Sequence, residues 1–254
     1  MARLPPSGVR RQQREWEDLA SVDPLWAILS DPERRGGRWQ LDEFFATGEA
    51  DVERALTVAA ELGRPVRRDR ALDFGCGVGR VTRALAGRFS EVVGVDISEQ
   101  MVEQARRLNE QVRNAHFLVN GAPDLRVLPD ASFDLVYSRI VLQHLRSRDD
   151  ALRYVAEFLR VARRDGLVVF QLPAEIPARD RLHLRRRLWS LLRRLGVGAD
   201  RLHTWGLSPI RMIGVSEDGV RGFVSAHGAV VSRAEPDDAV EGLASFQYYV
   251  LPDG

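Results

Sequence analysis

A short glycine-rich segment carries the clearest chemical signal in this sequence. Asp73 is followed by Phe74 and then by glycines at positions 75, 77 and 79, directly after an apolar run. Glycines let the chain turn sharply and let its backbone approach a ligand closely. The spacing is G-x-G-x-G, whereas a dinucleotide fold prefers G-x-G-x-x-G for its pyrophosphate. Because an acid at position 73 would repel a pyrophosphate and attract an ammonium group, the segment predicts a cofactor with a cationic amino end.

A second acid stands at the end of the next apolar run. Asp96 closes the segment 92–96, and its distance from the glycines suits a carboxylate that accepts hydrogen bonds from ribose hydroxyls. Ile97 and Met101 follow and are expected to pack on the face of an adenine ring, while Ser98 suits the N-cap of the next helix. The two acids together predict a nucleoside that carries a charged amino end.

The elements that position these residues alternate from residue 70 onward, which predicts a parallel sheet with right-handed crossovers. Strands are predicted at 70–74, 91–95, 116–120, 133–138, 167–172, 229–233 and 246–251. Helices are predicted at 49–63, 80–89, 99–112, 149–163, 179–195 and about 216–227. Ser147 and Asp150 have the spacing of a capping box ahead of the helix at 149–163.

The sequence outside the alternating region predicts a cap and an inserted lid. Residues 1–14 are basic and are expected to form a mobile tail, and 15–48 hold a dense group of aromatic residues that need a surface to cover. We therefore predict an N-terminal helical and aromatic cap at 1–66 and an α/β domain at 67–254, with the lid at about 176–212. The arginine-rich helix at 179–195 has two interpretations. It is either a solvated basic face over a packed leucine stripe, or a lid attracted to an acidic, phosphorylated or lipid-surface substrate.

Composition excludes several classes of function. The formal net charge of +1 gives no argument for a nucleic-acid partner. All 37 basic residues are arginine, which excludes lysine chemistry such as a Schiff base. The single cysteine, Cys76, cannot form an internal disulfide or a cysteine-rich zinc site, and a reducing cytoplasmic setting is the default expectation. No apolar run approaches the length of a signal peptide or a membrane span, so stable membrane insertion is not expected.

The sequence resembles the class I S-adenosylmethionine (SAM)-dependent methyltransferases, in particular the small-molecule group with a type 11/12-like domain. The resemblance rests on 72–80, 92–101, 132–145 and 166–172, which occur in the order and spacing of that family. It implies an α/β fold with a seven-stranded, mostly parallel Rossmann-like sheet, helices on both faces and an antiparallel last hairpin. It also implies SAM as the cofactor and S-adenosylhomocysteine (SAH) as the product.

The resemblance implies that the loop at 75–79 wraps the methionine part of SAM and that Asp96 holds the ribose. The predicted cofactor-binding residues are Asp73, Gly75, Cys76, Gly77, Gly79, Asp96, Ile97, Met101, Gly121, Ala122 and Ser138. One departure concerns the adenine, because Ala122 stands where family members often have an aspartate. The adenine contact is therefore expected from the backbone near Gly121 and Ala122, or from Asp124. Cys76 is expected to leave room for packing and not to act as a nucleophile.

His144 is the candidate general base. It follows the fourth predicted strand, at the sheet edge that faces the cofactor, and the ordinary pKa of imidazole suits removal of a hydroxyl proton. The alternative is a histidine that only packs or forms hydrogen bonds at the start of a helix. The predicted substrate contacts are Arg139, Gln143 and Trp26. The other histidines lack metal-ligand spacing, so no metal site is expected.

The sequence therefore predicts transfer of a methyl group from SAM to a small molecule, with a hydroxyl oxygen of a sugar or secondary metabolite as the favoured acceptor. One alternative is a cyclase or a non-catalytic binding subunit built on the same fold. Another is a nicotinamide oxidoreductase, which the loop spacing and Asp73 disfavour. A small-molecule substrate is the expected partner, in the cytoplasm and without nucleic acid.

Overall fold

The predicted strands pair into one seven-stranded sheet in the computed structural model, which describes residues 7–176, 184–207, 209–237 and 243–252. The strands are β1 Arg70–Phe74, β2 Glu91–Asp96, β3 Ala115–Val119, β4 Phe133–Ser138, β5 Ala162–Pro173, β6 Val230–Asp237 and β7 Ser245–Leu251. Their order is β3-β2-β1-β4-β5-β7-β6. The first five are parallel, and β7 runs antiparallel to both β5 and β6. The predicted fold class, including its antiparallel last hairpin, is confirmed.

Helices connect the strands and precede the sheet. They are α1 Ser7–Val22, α2 Pro24–Ile28, α3 Leu41–Glu61, α4 Arg80–Ala86, α5 Glu99–Leu108, α6 Arg148–Val161, α7 Leu184–Arg194, α8 Ala199–Thr204 and α9 Glu217–Ala226. Single 3₁₀ turns lie at Pro32–Arg34 and Leu142–His144. The helix predicted at 49–63 begins earlier, at Leu41. The helix predicted at 149–163 ends at Val161, because Ala162 already pairs with Phe133 of β4.

Two predicted helix caps are confirmed. The hydroxyl oxygen of Ser147 accepts a hydrogen bond from the backbone N–H of Asp150 at 3.1 Å, which begins α6. The hydroxyl oxygen of Ser98 accepts from the N–H of Met101 at 3.1 Å, which begins α5 directly after Asp96. Each cap satisfies a backbone donor that the helix itself leaves unpaired. The Ser98 cap fixes the chain direction at the carboxyl end of β2, where the predicted site lies.

Alternation along the central strands builds a core on each face of the sheet. In β4, Val136 packs with Phe158 of α6 in one cluster, while its neighbours Leu135 and Tyr137 pack with Leu85 of α4 in another. Successive side chains of a strand point to opposite faces, so the fully buried strand needs apolar residues throughout. Helices α6 and α9 cover the first face, and α3 and α4 cover the second. The carboxyl ends of β1, β2 and β4 are thereby held at one rigid edge.

The N-terminal region packs on this edge. The prediction of a mobile tail at 1–14 is wrong from Ser7 onward, since α1 begins there; residues 1–6 lie outside the described part of the chain. Leu19 and Phe44 are buried with Met101 of α5 in a shared cluster, against which Trp16 packs. The carboxylate of Glu17 accepts hydrogen bonds from the hydroxyl of Ser98 and from the N–H groups at 99 and 100, at 3.0, 2.6 and 3.2 Å. An acid at a helix N-terminus is favourable, so Glu17 holds α1 against α5.

Helix α7 turns its leucines outward. The predicted packed stripe is largely exposed, as shown by Leu184, Leu188, Leu191 and Leu195. The side chain that faces the protein is Trp189, which is 2% exposed. On the same inner side, Arg186 pairs with Glu15 of α1 at 2.5 Å and Arg193 pairs with Asp18 at 2.9 Å. The packed-stripe interpretation is wrong because two carboxylates of α1 attract the arginine face.

The lid role of 176–212 stays a prediction, and residues 177–183 lie outside the described part of the chain. Within the described residues, no helix has both the length and the apolar character needed to cross a membrane.

Candidate active site

A pocket with about 990 Å³ of empty volume opens at the carboxyl ends of β1, β2 and β4. In open parallel sheets this edge is where ligands bind. The predicted residues that line it are Gly75, Gly77, Asp96, Ile97, Met101, Arg139 and His144. The predicted residues that are not among its lining groups are Asp73, Cys76, Gly79, Gly121, Ala122, Ser138, Gln143 and Trp26. The structure thus brings the glycine loop, the ribose candidate and the candidate base to one cavity.

Backbone hydrogen bonds hold the glycine loop, and α2 packs closely against it. The N–H groups of Gly75 and Cys76 both donate to the carbonyl of Val95, at 2.7 and 3.1 Å. Gly75 has a φ of 77° and Gly77 a φ of 52°, the left-handed region that favours glycine. A Cβ on Gly77 would lie 2.5 Å from the Cδ1 of Ile28, too close for contact. The loop therefore requires glycine both for its turn and for the approach of α2.

Asp96 holds the loop, and its carboxylate can still accept further hydrogen bonds. One carboxylate oxygen accepts from the N–H of Gly77 at 2.9 Å, and the other accepts from the N–H of Ser98 at 2.9 Å. Burial raises the pKa of Asp96 above its ordinary value. An ionised carboxylate offers about four acceptor positions, so each oxygen can take one more hydrogen bond. Its side chain lines the pocket with this capacity available for hydroxyl donors.

Asp73 lies beneath the loop and not on the pocket wall. Its carboxylate accepts a hydrogen bond from the hydroxyl of Thr82 in α4 at 2.6 Å, and the residue is 3% exposed. Burial raises the pKa of Asp73 to about 6. A contact between this carboxylate and a cofactor ammonium group stays a prediction, because the structure does not bring the side chain to the cavity.

An arginine network forms another wall of the pocket. Arg80 pairs with Asp51 of α3 at 2.6 Å, and Arg139 lies 3.3 Å from the same carboxylate. Arg139 also pairs with Asp237 and donates to the side chain of Gln247 at 2.9 Å. Arg139, a predicted substrate contact, is therefore held by protein groups while still lining the cavity. Arg80 was not predicted, although its place directly after the glycine loop gave a signal.

His144 is neutral and oriented. Its Nδ1 lies 2.8 Å from the carbonyl oxygen of Arg211, and because a carbonyl only accepts, Nδ1 carries the proton. The lone pair is therefore on Nε2, which lies 3.3 Å from the amide nitrogen of Gln143. The oxygen of Gln143 in turn accepts from Gln171 at 2.9 Å. Burial lowers the pKa of His144 to about 4, and the ring of Trp16 packs edge-on at 5.7 Å.

The predicted adenine segment lines the pocket through other residues than expected. Asn120 and Pro123 are lining residues, together with Tyr154 of α6. The hydroxyl of Tyr154 donates to the carbonyl of Ala122 at 2.9 Å, and the side-chain oxygen of Asn120 accepts from the N–H of Ala122 at 3.1 Å. Asn120 comes directly after β3, at the same sheet edge where Asp96 ends β2. The strand pattern could therefore have predicted its position.

The aromatic N-terminal region was expected to form a wall of the acceptor pocket, and α1 and α2 supply wall residues that the sequence did not single out. Val9, Gln12 and Trp16 of α1 line the cavity, as do Ala27 and Ile28 of α2. The predicted substrate contact Trp26 precedes them, but its indole N–H donates to the carbonyl of Asp31 at 2.8 Å. No local pattern marks these residues, because their role depends on how α1 and α2 pack across the sheet edge.

Comparison with known proteins agrees with this geometry. A family model described as a methyltransferase domain matches residues 72–170, which contain the glycine loop, Asp96 and His144. The chain contains a methyltransferase domain. The resemblance to the class I SAM-dependent methyltransferases is thereby confirmed, and the domain spans the strands β1 to β5 that build the pocket.

Two curated relatives illustrate the breadth of the similarity. The O-methyltransferase cnsE of Penicillium expansum is 34% identical over 148 residues, 57% of this chain and 52% of that protein. The malonyl-[acyl-carrier protein] O-methyltransferase of Enterobacter lignolyticus is 36% identical over 123 residues, 47% of this chain and 45% of that protein. The chain thus spans about half the length of these curated relatives.

A solved structure shares the fold over nearly the whole length of both chains. The magnesium protoporphyrin IX methyltransferase from Synechocystis PCC 6803, crystallised with SAH, superposes with a TM-score of 0.64 at 19% identity, covering 96% of this chain and 99% of that one.

Proposed function

We propose that this protein transfers the methyl group of SAM to an oxygen atom of a small-molecule acceptor. The observation that carries the proposal is one cavity lined by the glycine loop, by Asp96 and by His144. The names of the relatives support oxygen as the methylated atom, since both curated relatives described above are O-methyltransferases. A hydroxyl of a sugar or secondary metabolite is the acceptor class we favour.

The pocket residues fit a nucleoside with an aminoacyl end. The backbone at Gly75 and Gly77 lies bare at the cavity, and the carboxylate of Asp96 retains acceptor positions for ribose hydroxyls. Arg80 and Arg139 present guanidinium groups at the same cavity, and their N–H donors suit a carboxylate of the aminoacyl group. Ile97 and Met101 supply an apolar wall for a base.

The bound cofactor supplies an activated methyl group on a positively charged sulfur, so the protein's main task is to hold the acceptor oxygen in line with it. His144 contributes the Nε2 lone pair, which accepts the proton that a hydroxyl acceptor must lose. Burial lowers the pKa of His144 to about 4, so the ring is neutral at neutral pH and can accept a proton, but it is a weaker base than the ordinary imidazole that the sequence predicted. The Gln143 amide, 3.3 Å away, competes for this lone pair and steadies the ring.

The test uses methyl transfer and cofactor binding as separate readouts. Acceptors are found by incubating the protein with methyl-labelled SAM and a library of hydroxylated metabolites and then following transfer of the label. Replacing His144→Gln should slow turnover by about 100-fold, the usual contribution of a general base, with little change in SAH affinity. The matched control is His116→Gln, because His116 is exposed on β3. Full activity of the His144 variant would return this residue to a packing role, and SAM binding without any transfer would favour the non-catalytic alternative.

A further inference from the structure

A second cavity adjoins the pocket on the side of α1. It has about 490 Å³ of empty volume and shares the wall residues Gln12, His144 and Arg146 with the pocket. Its remaining charged walls are Arg11, Glu15, Arg186 and Arg211. We call it the arginine cavity. Because His144 lies between the two spaces, a molecule that reaches into the arginine cavity has part of its body beside the candidate base.

The positive charges of the arginine cavity exceed its negative charge. Of the described residues, four arginines from four separate segments line it, and Glu15 is the carboxylate among them. Glu15 is already engaged by Arg186 at 2.5 Å. Arg146 turns to Asp150 of α6, with both contacts at 3.0 Å.

Among the described residues, Arg211 has no such carboxylate partner. Its guanidinium donates to the backbone carbonyl of Arg146 at 2.5 Å and forms no ion pair within the described part of the chain. Within the part of the chain that the structure describes, Arg11 likewise forms no ion pair, and the Nε of Arg186 is buried without a hydrogen-bond partner. The cavity therefore offers donors and charge that the protein does not use.

This arrangement is unfavourable without a ligand. Burial and the positive charge of Arg186 lower the pKa of Arg211 below its ordinary value. Partly buried like charges that lack a counter-ion destabilise a fold, and an anion that enters such a site gains charge-assisted hydrogen bonds. Gly8 of α1 leaves room for the side chain of Arg146, since a Cβ there would lie 2.4 Å from a terminal nitrogen of Arg146.

We propose that the arginine cavity binds an oxyanion, a carboxylate or phosphate, carried by the methyl acceptor, and so selects anionic small molecules. The inference rests on the proposed function and names the substrate class of the same site. Arg211, Arg186 and Arg11 hold the anionic group, and His144 meets the part of the acceptor that projects into the pocket. Planar guanidinium groups suit both oxyanions, because they donate two parallel hydrogen bonds to paired oxygens.

The experiment measures anion binding to the protein saturated with SAH. Inorganic phosphate and acetate are titrated by calorimetry at constant ionic strength, with acetamide as the uncharged counterpart of acetate. We expect phosphate or acetate to bind and acetamide not to bind. Arg211→Gln should weaken anion binding by about tenfold, in line with the loss of a charge-assisted hydrogen bond. Arg194→Gln is the matched control, since Arg194 is exposed at the end of α7 and does not line the cavity.

A second arginine variant separates anion binding from damage to the fold. If Arg211→Gln does not fold, Arg11→Gln, which changes an exposed residue of α1, should still weaken phosphate binding severalfold.

The outcomes distinguish the two claims. Failure of SAH itself to bind would overturn the proposed function. SAH binding without phosphate or acetate binding would overturn the anion site alone, as would equal weakening by Arg194→Gln and Arg211→Gln, or unchanged phosphate binding after Arg11→Gln.

Discussion

The buried carboxylate of Asp73 should make the protein less stable above pH 6 than its amide variant. The hydroxyl of Thr82 donates to this carboxylate, and an asparagine oxygen can accept the same hydrogen bond. Burial raises the pKa of Asp73 from 3.8 to about 6, so ionisation is unfavourable in the folded chain. Since each pKa unit corresponds to about 1.4 kcal/mol, the ionised carboxylate destabilises the fold by about 3 kcal/mol.

The pH dependence follows from linkage. Between pH 4 and pH 6 the folded chain holds the Asp73 proton that the unfolded chain has lost, so the contribution of Asp73 to stability falls as pH rises through this range. The difference in unfolding free energy between Asp73→Asn and the wild type should therefore be near zero below about pH 4. It should grow to about 3 kcal/mol in favour of the variant above about pH 6.

Urea unfolding of both proteins at pH values from 4 to 8 measures this difference directly. Titratable groups that the two proteins share contribute equally to both unfolding free energies, so their contributions cancel in the difference. The control is Glu103→Gln, which removes an exposed carboxylate in the middle of α5. A variant no more stable than the wild type at pH 8, or a difference that stays constant with pH, would refute the reasoning about the buried carboxylate.

Changes in the glycine loop, in helix α7 and in the protonation of His144 should each have a measurable effect. Gly77→Ala should reduce SAH affinity and lower the melting temperature, because its φ is 52° and the new Cβ would meet Ile28; calorimetry and a thermal melt check both. Trp189→Ala should lower the unfolding free energy by about 3–5 kcal/mol, whereas Leu188→Gln on the outer side should change it by less than about 0.5 kcal/mol. An equal loss of unfolding free energy in the two variants would mean that the leucines of α7 pack against the protein. When the rate of methyl transfer is measured against pH, the decrease caused by protonation of His144 should occur only as pH falls through about 4. A decrease near pH 6.5 would contradict the burial of this ring.

The sheet and the core of the pocket were predictable because their signals are local. Apolar runs separated by helical stretches determine β1 to β5, and the glycine spacing with Asp96 locates the loop at the strand ends. The capping residues Ser98 and Ser147 are equally local, since a cap bonds its own helix. Such patterns give the position of a residue along an element.

The contributions of α1 and α7 could not be predicted, because they depend on contacts between distant segments. Helical spacing in α7 gave a leucine stripe correctly, yet Glu15 and Asp18 of α1 decide which side of the helix faces the protein. The same limit applies to the pocket walls Gln12 and Trp16 and to the convergence of arginines around Arg211. For Asp73, the sequence supplied the residue type, while only the structure shows the carboxylate turned toward Thr82.

Cofactor binding at this site depends most on Asp96 and the glycine loop. Titration calorimetry of SAM with the wild type and with Asp96→Ala tests this directly, with the exposed Asp149→Ala as control. Loss of hydrogen bonds to a charged acceptor should cost about 3 kcal/mol, which is an affinity loss of roughly 100-fold. SAM should bind the wild type and the control alike, and NAD should bind neither. Equal affinity of SAM for wild type and Asp96→Ala, or binding of NAD in place of SAM, would contradict the account.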